Sequence, residues 1–235
     1  MVASTATSTW KAELLQGANA MGVAIVQTAS GVTSAFTLTG MTSTAGIAVG
    51  MVPSGSANIA SGAVVASIDS LTQVTLSKAH TGTITTASIT FTGDVLKLCL
   101  LASGKTPNGA TQSNAGTPGT SAQSVTNIGT DEVAASGTYS AGGNALTNTA
   151  PVQTNPITSA AWSYSNSLSW TGATLSVMGA YIYNTTVRLG HSTFALAANR
   201  VVAWYDFGGT VSVVAGTLTL TTPTQDGTTG LLRIT

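Results

Sequence analysis

The residues of this chain whose types could support catalysis are few: one adjacent acid pair, Asp131-Glu132, two histidines, His80 and His191, and a single cysteine, Cys99. Neighbouring residues of an extended chain point to opposite faces. Asp131 and Glu132 therefore cannot serve one substrate as acid and base without a bend, and we read them as a solvated junction between loop and strand. Neither histidine has a second His, Cys or carboxylate at ligand spacing, so both read as surface or turn residues. A His191, Ser192 and Asp206 triad rests on sequence proximity alone, which does not make the geometry. Cys99, inside "VLKLCLL", has no partner for an intrachain disulfide and reads as a buried, inert thiol. "GMVPSGSA" at Gly50–Ala57 carries the two glycines of a phosphate loop, but Ser56 stands where the lysine belongs. A glycan-cleaving enzyme needs two carboxylates flanking a cleft, and the seven acids here are scattered. The expectation is a protein that is not an enzyme, with no catalytic residue, no metal ligand set and no cofactor.

Two further groups invite a binding or structural role. Asp206, in "WYDFGG", is an acid at the end of an apolar strand and needs a partner there. We expect a structural ion pair with Arg200, or with Arg188. Trp162, Tyr164 and Trp170 in "AWSYSNSLSW" alternate so as to share a strand face. They are candidate contact aromatics for a glycan, although burial is the commoner fate of such rings. The sequon Asn184-Thr185-Thr186 matters only in a secretory compartment.

The elements that must position these residues are strands. Charged residues make up 6% of the 235, against about 25% in an ordinary soluble domain, and the formal net charge is zero. Such a chain attracts neither nucleic acid nor an acidic membrane in bulk. Ser, Gly, Thr and Asn interrupt every apolar run before it reaches membrane-spanning length, and "MVASTATSTWKAELLQ" lacks the basic start and apolar core of a signal peptide. Low charge also lowers the repulsion between copies, which suits life inside an assembly. "TWKAELLQGA" has helical spacing and predicts one short N-terminal helix. From about residue 33 onward, short alternating runs rich in Thr, Val and Ile predict strands, with a hairpin closing at Asp69-Ser70. Residues 102–130, rich in Gly, Ser, Thr and Asn, predict a long loop. Near the end we expect separate strands at Val201–Phe207, Val211–Ala215, Thr217–Thr221 and Leu231–Ile234, punctuated by Gly and Pro.

Four segments, "TWKAELLQGA", "DVLKLCLLASGKTPN", "TDEVAASGTYSAGGNALTN" and the end from "GAYIYNTT" through "VVAWYDFGG" to "GLLRIT", together resemble small virion structural proteins of tailed bacteriophages. The Y-x-A-G-G and D-F-G-G pieces are the most specific. The stretch between the first two segments, which contains "GIAVGMVPSGSANIASGAVVASID", resembles a small β module appended to many phage virion proteins. The resemblance implies an all-β fold: a β-sandwich or jelly-roll-like core domain at 1–22 plus 93–235, interrupted by a small inserted β-sandwich at 23–92. It further implies a capsid decoration or cement protein on the capsid surface of the virion, made in the host cytoplasm. Its partners would be the major capsid protein and itself, as a homo-oligomer and most simply a trimer, with no nucleic acid and no membrane. The alternative is a tail or fibre component that binds host glycan.

Overall fold

The computed structural model describes residues 3–6, 19–105, 131–150, 152–155, 159–162, 164, 167–186, 199–221 and 232–234. The expected N-terminal helix, His191, Arg188 and most of the 102–130 loop lie outside these residues. The described residues are all-β, and every strand pairing is antiparallel. The chain divides into two compact units, one made of Met1–Ala12, Val95–Thr186 and Ala198–Thr235, the other of Glu13–Asp94 and Val187–Ala197.

Strand β1 (Ala3–Ala6) belongs to the first unit. The second unit follows with β2 (Ile25–Gly31), β3 (Thr37–Leu38), β4 (Val52–Ser54), β5 (Val65–Ser70), β6 (Gln73–Leu76) and β7 (Ile84–Thr92). Two three-stranded sheets result, in the orders β2-β7-β4 and β3-β6-β5. Alternate residues of each turn inward: Leu38, Val65, Val74 and Leu76 from one sheet meet Ala29, Ile84, Ile89 and Phe91 from the other in one apolar core. This is the sandwich-like packing that a period of two produces when one face of each sheet is apolar. The hairpin β5–β6 turns at Leu71-Thr72, just past Asp69, whose carboxylate accepts from Ser67, Thr75 and Gln73. Those three bonds hold the exposed Asp69 carboxyl below its ordinary value, the Ser67 bond contributing most.

The ends of this unit meet. Asp94 N donates to the Ala20 carbonyl at 2.8 Å, and Ala20 N donates back to Asp94 Oδ2 at 3.0 Å. Gly93 allows that approach, since a Cβ there would come within 2.6 Å of the Ala20 oxygen. The clasp sits outside the expected boundaries of 23–92, and the described residues of the unit accordingly run from 19 to 94. An inserted domain needs its two ends side by side, and this pair of bonds supplies that.

The first unit continues with β8 (Leu96–Ala102), β9 (Asn144–Ala145), β10 (Val152–Asn155), β11 (Ser159–Trp162), β12 (Leu168–Asn184), β13 (Arg200–Leu220) and β14 (Leu232–Ile234). Its larger sheet has the order β1-β13-β12-β8-β9, and β10-β11-β14 forms a smaller one. The three strands expected between Val201 and Thr221 are one. Gly208-Gly209 and Gly216 end no strand; they lie in or beside irregularities within a continuous ladder: Phe207–Thr210 lie opposite Met178 alone, and Val214-Ala215 opposite Thr174 alone. Glycine suits a bulge as well as a turn, and Thr174 Oγ1 accepts from Ala215 N to close the second irregularity at 3.1 Å.

Replacing Asp94 by Ala leaves the buried Ala20 N–H without its side-chain acceptor, and we expect a loss of about 1–3 kcal/mol. The measurement is the urea midpoint at constant m-value; an unchanged midpoint would mean that the clasp does not hold the neck.

Candidate functional site

The densest chemistry among the described residues lies along the outer edge of β8. That edge is capped piecewise. β9 pairs with Lys97 and Leu98, Leu146 N donates to the Leu96 carbonyl, and Val133 N donates to the Leu100 carbonyl. The remaining amide, Leu100 N, donates to the Tyr139 hydroxyl at 3.1 Å, and that hydroxyl donates in turn to Glu132 Oε1 at 2.8 Å. A phenol thus stands in for a strand, because a buried backbone N–H must find an acceptor.

Glu132 Oε1 also accepts from Gly142 N, at 2.6 Å, while Tyr183 donates its hydroxyl to the Gly142 carbonyl at 2.6 Å. The Gly142-Gly143 turn is therefore held from both sides. Gly143 has φ +68°, and a Cβ there would run into the Leu98 carbonyl, so only glycine fits this close approach. The expected solvated acid pair is half right. Asp131 does point away, to Lys105 Nζ at 2.9 Å, but Glu132 turns inward, because two phenol and amide donors sit on its side of the chain.

Cys99 is buried directly opposite Tyr181 on β12, in a cluster with Leu101, Tyr183 and Val201. Burial pushes the thiol well above its ordinary value, and the nearby Glu132 charge adds to this. Burial likewise raises Tyr139, Tyr181 and Tyr183. A protonated, enclosed thiol is not a nucleophile, and the Glu132 oxygen is occupied by two donors. The arrangement fastens residues 131–143 to β8.

The contact aromatics are corrected by their burial. Trp170 is 0% exposed and Tyr164 2%. Trp170 donates from Nε1 to Asn144 Oδ1 at 2.8 Å and meets the Tyr139 ring edge-on, with centroids 5.6 Å apart at 74°. Burial lifts the Tyr164 phenol to about 12. The Tyr164 and Trp170 rings are both turned to the core rather than toward a ligand. The side chain of Trp162 lies outside the described residues.

The expected pair Asp206–Arg200 does not fit the ladder either. Both residues lie on β13, six positions apart, which is about 20 Å in extended chain and beyond side-chain reach. The Arg200 side chain lies outside the described residues, and Asp206 Oδ1 accepts instead from Gly208 N at 2.7 Å. His80, expected at the surface or in a turn, is 3% exposed and so is not at the surface. Its Nε2 donates to the Thr37 carbonyl at 2.9 Å, and its backbone bonds Ser34 and Ala35, so the ring anchors the turn before β3. Asn184 of the sequon is buried. No group of three or more His, Cys, Asp or Glu among the described residues stands where it could hold a metal. Among them, too, no helix is long and apolar enough to cross a membrane.

Beside Trp170 an apolar pocket of about 210 Å³ is lined by Leu100, Phe207, Val211, Leu218, Thr219 and Leu220. No charged side chain lines it. The inward role of Glu132, the part of Tyr139 and this pocket were missed in the sequence; the alternation of Tyr181 and Tyr183 with Ile182 is the one signal that could have pointed toward the cluster.

Comparison with protein-family models, curated proteins and solved structures finds no match.

Above the ordinary thiol value of 9.0 and phenol value of 10.0 the unfolded chain releases protons that the folded chain retains. Stability must then fall as pH rises. We expect the urea midpoint to drop steadily from about pH 9 upward, and Cys99 to react with a thiol reagent only on unfolding. A flat midpoint, or rapid labelling of the native protein, would contradict the buried cluster.

Proposed function

We propose that this chain is a structural subunit of a tailed-phage virion, a decoration or cement protein that binds the head exterior and bridges copies of the major capsid protein. The observation that carries the reading is what its two most specific motifs do. In Y-x-A-G-G, Tyr139 caps β8, Gly142 bonds Glu132, and Gly143 supplies the positive φ. In D-F-G-G, Asp206 accepts from Gly208 within the irregularity of β13. Both motifs build the fold and neither builds a reaction centre, which is what a resemblance among structural proteins requires.

Charge supports the same reading. A neutral surface of hydroxyls and small apolar groups is cheap to desolvate, whereas each buried charge would need a matched partner. Modest contacts repeated over a symmetric shell then sum to a firm attachment. The glycan-binding alternative has lost its described rings, since Tyr164 and Trp170 face the core.

Quantifying the chain on separated heads and tails discriminates between the two. We expect it in large copy number on heads and absent from tails; recovery on tails alone would transfer the assignment to the host-binding reading.

A further inference from the structure

We draw no further inference here: the strongest candidate, the apolar pocket beside Trp170 along the β12–β13 ladder, carries none because nothing in the structure shows what covers it.

Discussion

Scarcity of charge is the constraint on which this structure depends. With seven acids in 235 residues, none is spent on a generic solvated surface among the five that the structure describes. Asp94 clasps the neck of the second unit, Glu132 fastens a tyrosine and a glycine turn, and Asp206 ties an irregularity in β13. Asp69 gathers three side chains around a hairpin, and Asp131 holds Lys105. Hydrogen bonds to an ionised oxygen are roughly twice as strong as neutral ones, so few carboxylates can secure many turns.

Elsewhere hydroxyls replace ion pairs. Across the β12–β13 ladder Ser169 meets Thr219 at 3.2 Å and Ser176 meets Ser212 at 3.1 Å, while Ser103 reaches Thr210 at 2.9 Å. Cross-strand hydroxyl pairs of this kind contribute a few tenths of a kcal/mol to about 1 kcal/mol each, and they leave a neutral face. Such a face gives up little solvation when another protein covers it, a property that the proposed attachment to neighbouring subunits would use.

The all-β character was legible because Thr, Val and Ile alternate with polar residues over short runs, and "DVLKLCLLAS" could be recognised as a strand from that pattern alone. What escaped depends on distance in sequence. Glu132 takes its role from Tyr139 and from β8, about thirty residues upstream, and His80 takes its burial from Thr37. The alternation of rings around Tyr164 and Trp170 does not say what covers them, and both are buried. Asp206 is instructive in another way, for it accepts locally from Gly208 in an Asx-type turn, a role that the expectation of an arginine partner left out. The glycines of β13 were misread for a simpler reason: the same residue serves a turn and a bulge.

The central claim is that a charge-poor all-β chain works by attachment to a symmetric protein shell. Co-sedimentation of the purified protein with mature, tail-less heads tests it most directly. Saturable binding at a fixed ratio to the major capsid protein is the predicted result. Protein that remains in the supernatant at every concentration, with the heads intact and undecorated, would contradict the account.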